Sequence, residues 1–300
     1  MVLRGRYDLL RCSVNIIDLT PQGLVDRTED LVTLPEVALR IAQIVEDPES
    51  SANDISREIG LDAALTARLL RVANSAAYGH AGMIGTLPRA VAILGMRQVR
   101  DLAVGLTAIR AFDGISNELV TMDSFWRHSV LCAVASGQIA ARGPRKGDNC
   151  SFIAGLLHDI GQLVLFSQAA DLGRRALLMS VDSVDDLEVF RCEREVMGFD
   201  HAAVGGTLAR KWGLPRALQE CIEFHHEPDR AQEYPVEVAT VHVANTLAVL
   251  AEIDSLDLND APRLESAAVL ATCLTENNLL EIVLETRQLG ADILPLLMAA

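Results

Sequence analysis

The chain has 300 residues, half of them hydrophobic and only 4% aromatic, and it carries a formal net charge of −15. A chain of this length can bury a full core without disulfide or metal cross-links. The strongly negative charge argues against nucleic acid or an anionic membrane surface as the main partner.

Cysteine usage and hydropathy indicate where the protein works. The six cysteines include no Cys-x-x-Cys pair, which is typical of reduced thiols in a cytoplasmic protein. Arg4, Arg6, Asp8 and Arg11 interrupt any apolar run near the N-terminus, and no stretch approaches the roughly 18 uncharged apolar residues of a membrane span. We therefore expect a cytoplasmic protein without a membrane segment.

The first elements in chain order are short helices. An N-terminal extension over residues 1–30 carries one predicted helix from Pro21 to Asp30. Five helices are predicted over residues 31–118, because capping residues, first-turn prolines and terminal glycines separate apolar stripes of helical period. These signals are Thr33-Leu34-Pro35-Glu36, Pro48, Ser51 to Asp54, Gly60, Asp62, Thr86-Leu87-Pro88 and Gly95. They predict a compact N-terminal helical lobe.

Longer helical patterns fill the remainder of the chain. A second helical lobe is expected over residues 119–254, and two helices within residues 255–300 are expected to pack on it. The predicted helices span 124–141, 150–159, 163–178, 183–197, 200–212, 216–226, 236–252, 263–276 and 278–289. Gly161 is predicted to bend or end the second of these, and Gly173 is a candidate break in the third. No strand alternation is present, so the sequence predicts an all-α fold.

The most informative motif is Gly155-Leu156-Leu157-His158-Asp159-Ile160-Gly161, in which a histidine and an aspartate interrupt an apolar run. Imidazole nitrogen and carboxylate oxygen are both ligands for divalent metals. Neither group is stable without a partner inside a core. The dipeptide therefore either binds something or is a hydrogen-bonded structural remnant.

Four other helices each turn one ligand-capable side chain toward the core, by helical spacing. These side chains are His128, His201, His225 and Asn245. Any single histidine of this kind is more often a hydrogen-bonded core residue than a ligand, and we interpret His226 and His242 as structural or rim residues. The combination points further, because helical bundles build metal sites from inward-facing side chains on several helices.

The order His128, His158-Asp159, Asn245 resembles the HD superfamily of metal-dependent phosphohydrolases, whose pattern is His … His-Asp … Asp. Across about residues 31–251 the chain resembles one branch more closely, the HDOD (HD-related output domain) family. The phrases that carry this resemblance are Leu34-Pro35, Leu65 to Ser75, Ala90 to Gly95, Phe125 to Ser129, Gly155 to Gly161, Gly198 to His201 with Gly205, Trp212 to Pro215, and His225-His226. The resemblance implies an N-terminal five-helix lobe packed on a C-terminal HD-like helical bundle.

The resemblance also implies a metal site. In active HD enzymes the matching residues bind one or two divalent ions that activate a water for attack on phosphorus. Carried over, His128, His158 and Asp159 are candidate ligands of a first metal, and His201 and His225 match further histidines of the HD-GYP cyclic-dinucleotide phosphodiesterases. The candidate ion is manganese, iron, magnesium or zinc.

Two residues depart from the pattern of the active enzymes. Asn245 stands at the position of the last aspartate and offers only a neutral amide oxygen. Gln162 follows His-Asp-Ile-Gly where those enzymes often have a lysine that could meet a phosphate. The Gly-Tyr-Pro loop that is expected after His225-His226 is also absent.

These departures favour a non-catalytic signalling or regulatory module, which is how the HDOD family is generally regarded, and no catalytic residue is assigned. Such a module is expected to act by binding a ligand or a signalling protein partner in trans. A nucleotide is a candidate ligand, and Gln162 and Arg127 are candidate contacts. The alternative is a metal-dependent phosphohydrolase that acts on a nucleotide or a cyclic dinucleotide through a weakened site.

Overall fold

The computed structural model describes residues 19–28, 36–78, 82–112, 120–144, 150–180, 186–260 and 264–298. Within these ranges the chain forms sixteen α-helices and no β-strand, which confirms the predicted all-α fold. The helices are α1 (Pro21–Arg27), α2 (Glu36–Glu46), α3 (Ala52–Gly60), α4 (Ala63–Ala73), α5 (Leu87–Leu94), α6 (Met96–Ala111), α7 (Met122–Arg142), α8 (Ser151–Leu157), α9 (Ile160–Gln168), α10 (Ala170–Ser180), α11 (Asp186–Met197), α12 (His201–Lys211), α13 (Arg216–Phe224), α14 (Pro235–Glu252), α15 (Ser266–Thr272) and α16 (Glu276–Met298).

Helices α2 to α6 form the predicted five-helix N-terminal lobe, and local capping explains their bounds. The Ser51 backbone N–H donates to the Asp54 carboxylate at 2.9 Å where α3 begins. Asp62 accepts two backbone N–H groups of the first turn of α4, both at 2.9 Å. Gly95, with a φ of +85°, ends α5 and precedes α6, a conformation that favours glycine. The predicted capping signal before Glu36 lies outside the described residues.

The N-terminal lobe packs on the HD-like bundle through α6, which contacts α2 to α5 and also α8. Helix α16 packs along α7 and α14 and also reaches α4. Buried side chains from both lobes belong to one continuous hydrophobic core. The predicted domain boundaries near residues 30, 118 and 254 stay predictions.

Several predicted helix bounds in the HD-like bundle and beyond it were wrong, among them the ends of the helices predicted over 216–226 and 263–276, which lie at Phe224 and Thr272. The break after α9 falls at Ala169, where no sequence signal marks it, and Gly173 lies buried inside α10. The helix predicted over 150–159 ends at Leu157 as α8, and α9 begins at Ile160, directly after the dipeptide. Gly161 therefore lies within α9. The last helix continues past residue 289 to Met298, because Ile293 and Leu297 extend its buried face.

Two of the described cysteines, Cys132 and Cys273, are free thiols, and Cys12 lies outside the described residues. Among the helices described, none is by itself long and apolar enough to cross a membrane. Two bent pairs, α8–α9 with α10 and α15 with α16, meet that criterion only when their lengths are combined.

Candidate metal centre

The dipeptide His158-Asp159 separates α8 from α9, and the glycines on either side of it explain how it reaches the other ligands. A Cβ on Gly155 would lie 2.7 Å from the carbonyl oxygen of Cys132 on α7. A Cβ on Gly161 would lie 2.5 Å from the backbone nitrogen of Gly205 on α12. Only glycine permits both approaches, because real Cβ atoms do not come so close to backbone atoms. The dipeptide is thereby pressed against α7 and α12.

Asp159 lies at the centre of a ring of histidines. Its Oδ1 atom is 3.2 Å from His201 Nε2 and 3.4 Å from His225 Nε2. Its Oδ2 atom is 3.2 Å from His158 Nε2 and 4.0 Å from His128 Nε2. Four predicted ligands, all histidines, therefore meet around the carboxylate of Asp159, which is the fifth predicted ligand. They lie on α7, on α12 and at the ends of α8 and α13.

Three ligand atoms of this cluster are buried and form no hydrogen bond: His158 Nε2, His225 Nε2 and Asp159 Oδ1. The other ring nitrogen of each histidine is fixed from behind. His158 Nδ1 donates to the Gly155 carbonyl at 2.8 Å, and His225 Nδ1 donates to the Ile222 carbonyl at 2.9 Å. A carbonyl behind Nδ1 is a usual outer partner of a metal-binding histidine, because it directs Nε2 at the ion.

His201 has a carboxylate in the corresponding place. Glu193 accepts both the Nδ1–H group of His201 at 2.7 Å and its backbone N–H at 2.8 Å. His201 Nε2 lies 3.0 Å from His226 Nε2, and the His226 ring stacks on Phe190 with centroids 4.8 Å apart. His226 thus joins the cluster, which its interpretation as a structural or rim residue did not anticipate. The sequence contains no local signal for Glu193.

His128 differs from the other members of the cluster because both of its nitrogens have partners. Nδ1 lies 3.2 Å from Glu252 Oε2, and Nε2 lies 2.9 Å from Asn245 Oδ1. Burial alone lowers the pKa of His128, but the hydrogen bond to Glu252 raises it to about 9. Glu252 is seven residues after Asn245 on α14, and this two-turn spacing could have revealed it from the sequence.

The pKa shifts of the cluster place protonated histidines next to carboxylates. Burial raises the pKa of Asp159, but His158 and the other neighbouring histidines together hold it well below its usual range. Burial lowers the pKa values of His158 and His201, but Asp159 and Glu193 respectively raise both well above the usual range. Burial lowers the pKa of His225 to about 4, so its ring is neutral. A metal ion at this site would therefore compete with protons on His158 and His201.

The remaining candidate residues lie at the edge of the site. Gln162 is half-buried in the first turn of α9, and its backbone N–H donates to the Asp159 carbonyl at 2.8 Å. Arg127 is exposed on α7, one residue before His128. His242 donates from Nδ1 to the His225 carbonyl at 2.8 Å, so it supports the backbone of a candidate ligand. This position agrees with its interpretation as a structural residue.

Two overlapping groups of side chains in this site could hold an ion. One is Asp159 with His201, His225 and His226, and the other is His128 with His158 and Asp159; within each group the ligand atoms lie within 4.8 Å of one another. The three buried ligand atoms that form no hydrogen bond indicate that these residues fit a cation. Imidazole with a carboxylate suits zinc, iron or manganese better than magnesium, which prefers oxygen ligands.

A model of the HDOD domain matches residues 31–228, about two thirds of the chain. The chain belongs to the HDOD domain family. The match includes every candidate ligand except Asn245, which lies beyond it.

Curated relatives of this HDOD chain are distant and longer. An uncharacterized protein of Treponema pallidum is 28% identical over 74% of this chain and 43% of its own length. Ribonuclease Y of Thermus thermophilus is 26% identical over 73% of this chain and 27% of its own length. The chain thus spans less than half the length of these relatives.

Solved structures share the fold. A protein of Shewanella amazonensis, provisionally named a phosphohydrolase, has a TM-score of 0.71 at 23% identity and covers 91% of this chain and 97% of its own. An HDOD domain protein of unknown function from Geobacter sulfurreducens has a TM-score of 0.62 at 23% identity, with 91% and 93% covered. A protein of Marinobacter aquaeolei, provisionally named a signal transduction protein, has a TM-score of 0.70 at 21% identity, with 95% and 67% covered.

Proposed function

We propose that this HDOD chain is a non-catalytic regulatory module that holds a single divalent metal ion between Asp159, His201, His225 and His226. The observation that carries the proposal is that Asp159 Oδ1, His225 Nε2 and the neighbouring His158 Nε2 are buried and form no hydrogen bond. Buried polar atoms are nearly always paired, so three neighbours without partners point to a missing cation. An ion here would neutralise the carboxylate and connect α8, α9, α12 and α13.

One metal is proposed, not two, because the second ligand group is compromised. His128 Nε2 is already 2.9 Å from the Asn245 amide oxygen, and its Nδ1 faces a carboxylate. The Nε2 atom of His128 would have to give up its contact with Asn245 before it could bind a metal. Asn245 itself supplies a neutral oxygen where a carboxylate would add a negative charge.

The same features favour regulation over catalysis. Two-metal hydrolases use the paired ions to stabilise both the attacking and the leaving oxygen. This role requires the second ion, and Gln162 supplies no cation for a phosphate. The proposed module would act on a signalling protein partner in trans, with a nucleotide as a candidate ligand, and the metal would hold the HD-like bundle in its binding conformation.

Metal analysis tests the proposal. The protein is purified without chelator, and its content of manganese, iron, zinc and magnesium is measured by mass spectrometry. We expect a single ion per chain, and loss of that ion from the variant Asp159→Ala. A wild-type chain without metal, even after incubation with Mn²⁺ and Zn²⁺, would overturn the proposal.

The second candidate function is a metal-dependent phosphohydrolase, and one observation favours it. The two ligand groups share Asp159, so a bridging carboxylate is in place for a pair of ions. Hydrolysis is tested in Mn²⁺ with nucleotides, cyclic dinucleotides and, because one relative is named ribonuclease Y, an RNA oligonucleotide. We expect no turnover above that of Asp159→Ala. Turnover by the wild type that this variant abolishes would establish the enzyme instead.

A further inference from the structure

Three side chains of helix α11 contact residues in or next to the candidate metal centre. The Phe190 ring stacks nearly parallel on His226, with an interplanar angle of 9°. Glu193 accepts two hydrogen bonds from His201. One turn of helix thus contacts two histidines that belong to α12 and to the segment after α13.

Arg194 makes the third contact, to residues adjacent to those histidines. Its Nε donates to Asp200, the residue that caps α12, at 2.6 Å. Its two terminal nitrogens donate to both oxygens of Glu227 at 2.9 and 2.6 Å. Such a paired contact fixes orientation as well as distance. Helix α11 therefore holds both the start of α12 and the chain after the His225-His226 pair.

Glu193 is the contact with the largest energetic consequence. Its carboxylate is only 2% exposed, and His201 is 1% exposed. A buried carboxylate is expensive unless it is paired, so the two residues depend on each other. Because Glu193 binds Nδ1 and the backbone N–H of His201, it sets both the ring orientation and the position of the first residue of α12.

The rest of α11 is attached mainly to α10. Helices α10 and α11 pack closely on each other, whereas α11 makes few backbone approaches to α12. The chain also turns sharply before this hairpin, since α8–α9 and α10 meet at an angle of 119°. Side-chain contacts at the metal centre therefore attach α11 to the bundle, together with Met197, which is part of the hydrophobic core.

We propose that α11 reports occupancy of the metal centre, because metal binding at His201 and docking of α11 through Glu193 stabilise each other. An ion on Nε2 holds the His201 ring from the opposite side to Glu193, so each contact preorganises the other. Coupling of this kind is reciprocal: the free energy by which the metal stabilises docked α11 equals the free energy by which docked α11 strengthens metal binding. The inference rests on the proposed single-metal function and adds the element through which that metal would act on the surface of the module.

The experiment compares Glu193→Gln with Glu195→Gln, a control substitution of the same type at an exposed position of the same helix. Mn²⁺ and Zn²⁺ affinities are measured by competition with a chromogenic chelator on the full chain. We expect Glu193→Gln to weaken binding by about 10- to 100-fold, the range for outer partners of metal ligands. The control should match the wild type.

Hydrogen exchange supplies a second readout that does not depend on the variant folding well. Metal should slow exchange of backbone amides over residues 189–197 in the wild type and in Glu195→Gln, and do so less in Glu193→Gln. If the wild type binds metal but exchange over α11 does not change, this inference is wrong and the proposed function stands. If the wild type binds no metal at all, both are wrong.

Discussion

Three histidines of the cluster, His158, His225 and His128, fall into two kinds, and the difference lies in what faces their ring nitrogens. Behind His158 and His225 stands a backbone carbonyl from three residues earlier in the same turn, at 2.8 and 2.9 Å. Behind His128 stands the Glu252 carboxylate from another helix, and the Asn245 amide faces its other nitrogen. The first kind keeps a free Nε2 atom, and the second does not.

This contrast shows how one helical scaffold can keep one half of a metal site and lose the other. A local carbonyl belongs to the same helix end as the histidine. Wherever that helix end forms, the carbonyl therefore holds Nδ1 and leaves Nε2 directed at the site. A carboxylate behind Nδ1 does not by itself exclude a metal, since Glu193 lies in that place behind His201. What sets His128 apart is its Nε2 atom, which already faces the Asn245 amide oxygen. The side of the site nearest Asn245 is therefore the one expected to be without metal.

The largest expected effect comes from Asp159→Asn, because Asp159 is shared by both sides. We expect metal binding to weaken by more than the roughly 100-fold upper limit for outer partners, since a charged ligand itself is lost. Without metal, the variant should also lose about 3 kcal/mol of unfolding free energy at neutral pH, the scale for removing one member of a buried ion pair. Metal titration and urea denaturation measure these effects.

Asp171→Asn is the control for this substitution, because Asp171 is exposed in the first turn of α10. It should match the wild type in metal affinity and change the unfolding free energy only slightly. An Asp159→Asn protein that kept wild-type affinity would show that Asp159 is not a ligand, and that the metal, if bound, lies elsewhere.

The second prediction contrasts the two kinds of histidine directly. His225→Ala should weaken metal binding strongly, though less than Asp159→Asn does, because it removes a neutral ring whose Nε2 atom forms no hydrogen bond. His128→Ala should keep the affinity within about tenfold of the wild type, or about 1.4 kcal/mol. Both are measured by the same chelator competition, with circular dichroism to confirm folding. Equal losses in the two variants would remove the distinction on which the single-metal proposal depends.

The fold could be predicted from the sequence where its signals are local. Asp62 and Gly95 act within one turn of their own positions, so the bounds of α4 and α5 followed from residue type. The break at Ala169 could not be predicted, because alanine favours helix and the chain turns there for reasons of packing. Helical spacing also placed His128 and Asn245 on inward faces, since both lie within long regular helices.

The site itself was predicted in part, for the same reason. His226 was missed because a regular helix through residue 226, which the spacing predicted, would rotate its side chain away from that of His225. In the structure α13 ends at Phe224, a turn follows, and both rings lie at the site. Glu193 was missed because it lies on a different helix from His201, and no sequence period relates the two.

The last prediction, with the smallest expected effect, restores the lost carboxylate. Asn245→Asp places a charged oxygen beside His128, whose Nε2 atom is also 4.0 Å from Asp159 Oδ2. We expect the variant to bind a second, weaker metal ion while the affinity of the first stays within about tenfold of the wild type. Mass spectrometry of the metal content at increasing Mn²⁺ measures the stoichiometry, and Asn245→Ala is the matched control. If Asn245→Asp binds no more metal than Asn245→Ala, the missing carboxylate is not what limits the second site. The greater distance of His128 Nε2 from Asp159, 4.0 Å against 3.2 Å for His201 Nε2, would then be the decisive difference between the two sides.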